Sequence, residues 1–300
     1  METKKKPIQW KRGLFIVGMI IVPILHFLIF YLYVNLDSIL MAFQKLEGGE
    51  LKPSFGNFTL FFEQMKDPES EIVESLKNTL VFFGTNLLLI LPATLFIAYF
   101  IYKKIFGYKF FRVIFFIPSI LSAVVLTIVY EDFVGIQGPI AKWIQTAQGL
   151  EKTPELLGVP RYALKTILGY TIWTGFGTNL ILLGGAMNRI PEETIDAGKI
   201  DGVGMLRELF QIILPMVWPT LTTVIVFAFV GIFTSSGPIL LFTEGKHDTY
   251  TISYWIFAQV YGGASSQYAS AVGLAFTIIA LPIVFGVKIL MEHIQEATEY

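Results

Sequence analysis

Hydrophobic positions along the 300-residue chain are gathered into long runs separated by polar intervals. Six runs, at 13–34, 80–102, 111–130, 162–187, 216–242 and 268–291, carry almost no charge. At about 1.5 Å of rise per helical residue, each is long enough to cross a hydrocarbon core of about 30 Å. A seventh apolar stretch, 249–261, is too short to cross and is fenced by Glu244–Asp248 and Gly262-Gly263. It reads as an interfacial or re-entrant helix. The pattern predicts an all-α membrane protein with six transmembrane helices and a two-helix loop between spans four and five. It divides into a terminal segment at 1–12, a six-span transmembrane domain at 13–291 with its loop at 188–214, and a tail at 292–300.

Within the runs, Pro92, Pro118 and Pro282 interrupt helix hydrogen bonding, which a membrane helix tolerates where neighbours satisfy the freed carbonyl. The run at 216–242 is expected to break near Thr234-Ser235-Ser236-Gly237-Pro238. The interval 37–77, with Gly48-Gly49, Pro53 and several acids, reads as an external loop with one short helix near its end. The interval 131–161 is too polar to cross.

Composition sharpens this picture. Hydrophobic residues make up 54% of the chain, charged residues only 15%, and mean hydropathy is +0.64, against about 25% charge in soluble domains. The absence of cysteine excludes disulfides and cysteine-ligated metal. Lys4, Lys5, Lys6, Lys11 and Arg12 precede the first run, which exceeds a secretory h-region and lacks a small-residue cleavage site, so it reads as an uncleaved span. The net charge of −1 is uninformative, but its distribution is not. With the N-terminus inside, 13 of the 22 Lys and Arg residues fall on the inner side and 14 of the 23 acids on the outer. The positive-inside tendency then makes both termini and the 188–214 loop cytoplasmic.

That loop is an island of charge in an apolar half-chain. Arg189, Glu192, Glu193, Asp196, Lys199, Asp201, Arg207 and Glu208 lie within it. Pro191 suits a first helical turn, and Glu192 and Glu193 complement the positive end of the helix dipole. Gly202 and Gly204 supply a turn, with Asp201 a candidate N-cap for a second helix. Ile195, Ile200, Leu206, Leu209 and Phe210 give the pair an apolar side, a shape suited to being held by another protein. Taken alone, a charged hairpin between spans is equally a solvated loop.

The spacing within the loop is similar to the coupling motif of membrane subunits of bacterial ABC importers. That motif runs E-A-A, three residues, G, nine residues, I, one residue, L-P; here Asp196-Ala197-Gly198 leads to Gly202, Ile212 and Leu214-Pro215. Asp196 stands for the glutamate and Gly198 for the second alanine. The resemblance extends to the carbohydrate-uptake branch through Phe58, Leu60-Phe61-Phe62, Ser75–Thr79, Phe110-Phe111-Arg112, Pro118, Ile190-Pro191 and Tyr268–Ala271. It implies a sugar or oligosaccharide permease in the bacterial inner membrane, paired with a second and different permease chain. Two ATPase subunits that bind ATP and Mg, and an external solute-binding protein, would complete the assembly. It further implies that Glu193, Asp196, Ala197, Gly198, Asp201, Gly202 and Arg207 belong to the docking surface, with Gly202 allowing the sharp turn and Pro215 ending the coupling helices.

A solute path needs polar groups facing a cavity within the bilayer. Tyr170, Trp173, Thr174 and Gly177 share one helical face of the fourth span. Thr234, Ser235 and Ser236 at the break of the fifth span are candidates for the same lining, and Asn86 is a lesser one. Each has a plainer use, since hydroxyls bond their own helix, aromatic rings sit at interfaces and glycine permits close packing. Together they suit a neutral sugar, whose C–H faces stack on rings.

The sequence carries no G-x-x-x-x-G-K-[ST] loop. His26, His247 and His293 fall in separate segments, without paired ligand spacing. No cofactor, metal or nucleic-acid partner is expected for this chain, and lipid surrounds it. The alternative is an ion-coupled carrier or channel with no ATPase, in which the charged island is incidental. An intramembrane hydrolase lacks a buried catalytic pair.

Overall fold

The structure is a computed structural model and describes residues 10–298, without the side chains of residues 11, 12, 47 and 295–298. Most of the basic segment, 1–9, and the last two residues of the acidic tail lie outside the described residues. Among the described residues six stretches are helical, long and apolar enough to cross a membrane: Gly13–Ala42, Glu71–Tyr102, Ala123–Gln148, Pro160–Met187, Met205–Val230 and Ser266–Ile294. They are numbered here as spans one to six. The chain forms two compact units, residues up to 62 with 259–275, and residues 63–258 with 276 onward.

In the first unit, helix Trp10–His26 passes through a π-helical segment, Phe27–Tyr33, into helix Val34–Ala42. The interval expected to be a loop then folds as a two-stranded antiparallel hairpin, Gln44–Glu47 with Glu50–Pro53, turning through Gly48 and Gly49 in the left-handed region. Helix Gly56–Lys66 begins just beyond the hairpin and runs past the end of this unit at Phe62. Buried Asn57 ties that helix back by donating to the carbonyls of Ala42 at 3.2 Å and Gln44 at 2.8 Å. Phe43, Phe55 and Phe58 close the corner as a ring cluster.

The second unit holds a core shared by spans two, four and five. Leu91, Leu95, Ala98 and Tyr99 meet Leu180, Leu183 and Met187, and both groups meet Leu209, Ile213, Val217, Leu221 and Val224. Spans two and five each contain a π-helical turn, Asn86–Ile90 and Leu209–Ile213, directly ahead of Leu91-Pro92 and Leu214-Pro215. Proline lacks the N–H that would close an α-turn, and the wider turn keeps the helix continuous.

Three boundaries differ from expectation. The apolar run 111–130 is divided between helices Tyr108–Ile120 and Ala123–Val134, because Leu121 and Ser122 take extended backbone after Pro118. Span three is therefore centred later, and a turn at residues 135–138 separates its second piece, helix Pro139–Gln148. Helix Leu214–Val230 ends at Gly231, ahead of the polar cluster at 234–236, and a short helix Ile239–Phe242 follows.

Segment 249–261 contains helix Ile252–Tyr261, and its start is held against span two. Asn78 donates to the carbonyls of Asp248 and Tyr250, both at 2.9 Å, and Thr79 Oγ1 accepts from the Ile252 amide at 2.9 Å. The Trp255 indole donates to Glu71 at 3.1 Å.

Candidate functional site

The charged loop folds as two helices, Glu192–Ile200 and Met205–Glu208. Pro191 lies just outside the first helix as its N-cap residue, and Glu192 and Glu193 occupy the first turn. At the far end Asp201 is the C-cap of the first helix, where the sequence suggested an N-cap for the second; Gly204 holds that position instead. The corner is a Schellman turn: the Val203 amide donates to the Gly198 carbonyl at 2.9 Å and the Gly202 amide to that of Lys199 at 3.1 Å. The turn requires a left-handed residue, and Gly202 supplies it with φ +72°.

Pro215 does not end the coupling helices. Helix Met205–Glu208 runs through the π-turn into span five without a break, so the second coupling helix is an extension of the span. Ile190, Ile195 and Leu209 join the core of spans two, four and five, which fastens the loop to the bundle. Gly198 is buried, and a Cβ there would lie 2.6 Å from Ile212 Cδ1. The departure from alanine at this motif position thus coincides with close contact to the motif isoleucine.

A second fastening was not visible in the sequence. Glu208 is 4% exposed, and both its oxygens lie 2.9 Å from Lys103 Nζ. Tyr99 donates from its hydroxyl toward the Met205 carbonyl at 2.9 Å and toward Glu208 Oε1 at 3.2 Å. The end of span two therefore grips the start of the second coupling helix. The 105-residue separation of Lys103 and Glu208 hid this pair.

What the loop offers outward is mixed. Ile200 is 87% exposed, Leu206 61% and Met205 46%, and Glu192, Glu193, Asp196, Ala197, Asp201 and Arg207 are exposed around them. Asp196 pairs with Lys199 at 2.8 Å, and this hydrogen bond, with the carboxylate's charge, pushes the Lys199 ammonium above its ordinary pKa. Arg207 donates to Gln211 at 2.7 Å.

The expected path residues divide. Tyr170, Trp173 and Tyr130 of span three form a ring cluster, Trp173 stacked on Tyr130 at 6.2 Å and Tyr170 edge-on to it at 5.3 Å. Phe242 completes the cluster. Thr174 bonds back to the Tyr170 carbonyl, and buried Gly177 sits where a Cβ would strike Ser119. That face of span four packs on neighbouring segments. A separate cavity of about 250 Å³ lies between spans two, four and five, lined by Asn86, Thr171, Phe83, Phe227, Ser235 and Gly237 among others. Of the expected polar candidates, Asn86 and Ser235 reach it. Thr234 bonds the Val230 carbonyl at 3.2 Å, and neither it nor Ser236 lines the cavity. Thr171, one residue off the expected stripe, does line it.

The apolar spans, the charged two-helix loop and the cavity of rings and neutral polar groups among the spans define a multi-pass membrane permease. Residues 90–300 match the pattern of the binding-protein-dependent transport system inner membrane component, and the chain belongs to that family. Its place in the family is that of a non-catalytic membrane component. Among its relatives, the probable ABC transporter permease protein YesP of Bacillus subtilis (strain 168) is 24% identical over 77% of this chain and 79% of its own length. The arabinooligosaccharides transport system permease protein AraP of the same organism is 22% identical over 87% of this chain and 83% of its own. A permease-fold chain in a bacterial alginate ABC transporter, solved with its alginate pentasaccharide-bound periplasmic protein, superposes with a TM-score of 0.80. It is 24% identical and matches over 95% of this chain and 96% of its own.

Proposed function

We propose that this chain is one of two permease halves of an ATP-driven sugar importer, docking an ATPase subunit through the 188–214 loop on the cytoplasmic side. The observation that carries the reading is the surface of that loop. Ile200, 87% exposed, and Leu206, 61% exposed in the first turn of span five, stand among carboxylates on the charged loop, yet the loop is locked to the core of the spans by Ile190, Ile195 and Glu208. Exposed apolar side chains on a rigid, water-facing protrusion mark a docking surface. A loop with only a solvation role gains nothing from either property. The inward orientation rests on the distribution of Lys and Arg.

Saccharide is the substrate class that the chemistry favours. The cavity between spans two, four and five combines rings, Phe83 and Phe227, with neutral hydrogen-bonding groups, Asn86 and Ser235. Its volume of about 250 Å³ falls below the roughly 300 Å³ at which complete ligand pockets begin, as suits a half-site completed by a second permease. Named relatives handle arabinooligosaccharides and alginate. ATP binding would draw the ATPase subunits together, move the loop, and transmit that movement through Lys103–Glu208 to span two and directly into span five, exchanging inward-open for outward-open states.

The test is ATPase activity of the reconstituted complex carrying Asp196→Lys. Reversal of that charge is expected to abolish most of the stimulation by loaded binding protein; unchanged stimulation would remove the docking assignment.

A further inference from the structure

At the loop end of the second unit, away from the solute cavity, two hollows adjoin. One, of about 240 Å³, is lined wholly by apolar and aromatic residues, including Ile97, Phe100, Phe111 and Phe115. The other, of about 280 Å³, lies between spans two and four and helix Tyr108–Ile120, and Lys104, Arg112, Gly184, Gly185 and Asn188 line it. Ile101 and Tyr108 line both. A Cβ at Gly184 or Gly185 would meet nothing within 4 Å, so the two glycines leave the wall of the second hollow open.

The charges at this place are unbalanced. Of the basic residues between span two and helix Tyr108–Ile120, Lys103 is committed to Glu208. Among the described residues Lys104 and Arg112 take part in no ion pair; Arg112 lies over the Phe116 ring at 5.9 Å. Lys104 also borders a neighbouring cleft that holds Glu192 and Asp196, of which Asp196 is already paired with Lys199. Phe106 in the connecting turn is 100% exposed and Phe110 in the first turn of the following helix 66%, beside exposed Lys109, a mix of rings and cations that suits the boundary between acyl chains and headgroups. Two cations in a hollow that adjoins an apolar one, at the end of a membrane helix, call for an anion that brings its own hydrocarbon.

We infer that Lys104 and Arg112 hold the phosphate of an anionic phospholipid from the leaflet next to the loop, with an acyl chain in the adjoining apolar hollow. A free phosphate would satisfy the cations but leave that hollow unfilled, so a diacyl lipid is the occupant. Bound there, the lipid would wedge between span two and helix Tyr108–Ile120, next to the Lys103–Glu208 clasp. The site does not depend on which sugar is carried or on whether the loop docks an ATPase.

The experiment is native mass spectrometry of the complete complex, purified and then titrated with phosphatidylglycerol or phosphatidylcholine. Wild type is expected to retain phosphatidylglycerol in preference to phosphatidylcholine. The Lys104→Gln/Arg112→Gln variant should retain roughly tenfold to thirtyfold less, at about threefold to fivefold per cation. Gly185→Leu, which narrows the second hollow beside the two cations without altering charge, should reduce retention as well, and its assembly into the complex serves as the folding control. Excess inorganic phosphate should not displace the lipid; displacement would reassign the site to a free anion. Equal retention of both lipids, or of phosphatidylglycerol by wild type and the double variant, would overturn the proposal and leave the two hollows to the second permease.

Discussion

Glu208 and Gly202 carry more of the loop's architecture than the motif acid does. Glu208 is buried, and its charge is met by Lys103 and the Tyr99 hydroxyl. Replacing it with glutamine leaves Lys103 facing a neutral partner in a poorly solvated place, although the Lys103 side chain keeps 21% of its surface exposed. A double-mutant cycle with Lys103→Met and Glu208→Gln is expected to show a coupling of roughly 1–3 kcal/mol in thermal unfolding of the purified complex. Additive losses would mean that the clasp is decorative. Gly202 has φ +72°, where a Cβ costs about 1–2 kcal/mol. Gly202→Val should therefore disorder the turn and lower binding-protein-stimulated ATPase activity, whereas Gly202→Asn, which tolerates the left-handed region better, should retain most of it. Equal losses would point away from backbone conformation and toward the side-chain volume that the ATPase accepts.

At the scale of elements, span four shows where a periodic reading reaches its limit. Its hydrophobicity and length were plain in the sequence, and so was the shared face of Tyr170, Trp173, Thr174 and Gly177. Periodicity, however, says which residues face together and not what they face. Here rings found rings, Tyr130 and Phe242, while Thr171 on the adjacent face and Asn86 on span two line the cavity. Among the described residues the Asn86 carboxamide takes no hydrogen-bond partner, which leaves it available to a solute hydroxyl. Asn86→Leu is expected to slow sugar uptake about threefold to tenfold, the worth of one neutral hydrogen bond, with the complex still assembling. Trp173→Ala should instead loosen the ring cluster and lower thermal stability. If Trp173→Ala stops uptake without lowering stability while Asn86→Leu leaves uptake unchanged, the path runs along the ring face after all. The boundaries that shifted share a local cause: Leu121 and Ser122 break the run that follows Pro118, and π-turns let the helices carry Pro92 and Pro215 without ending. The hairpin at 44–53 escaped because its strands are short and mostly polar.

For the whole molecule, the fold was legible because a bilayer demands long apolar helices, and six such stretches survive in the structure. The loop was legible because charge has no place inside that bilayer and because its spacing matched a known motif. The pair that ties the loop to span two was not, since Lys103 and Glu208 are 105 residues apart and nothing local marks them as partners. The mechanical consequence is that force applied to the loop enters the bundle through the unbroken helix into span five, through Glu208 into span two, and through Ile190 and Ile195 into the core they share with span four. The absence of cysteine allows the most direct test. A single cysteine at position 196, in the complete complex in native membranes, is treated with a maleimide–benzophenone photo-cross-linker, whose second arm inserts into C–H bonds and needs no thiol on the partner, and with a membrane-impermeant maleimide from either side. The account predicts an adduct with the ATPase subunit and blocking only from the cytoplasmic side. Blocking from outside, or a cysteine that is freely labelled from the cytoplasm yet never joins the ATPase, would contradict it.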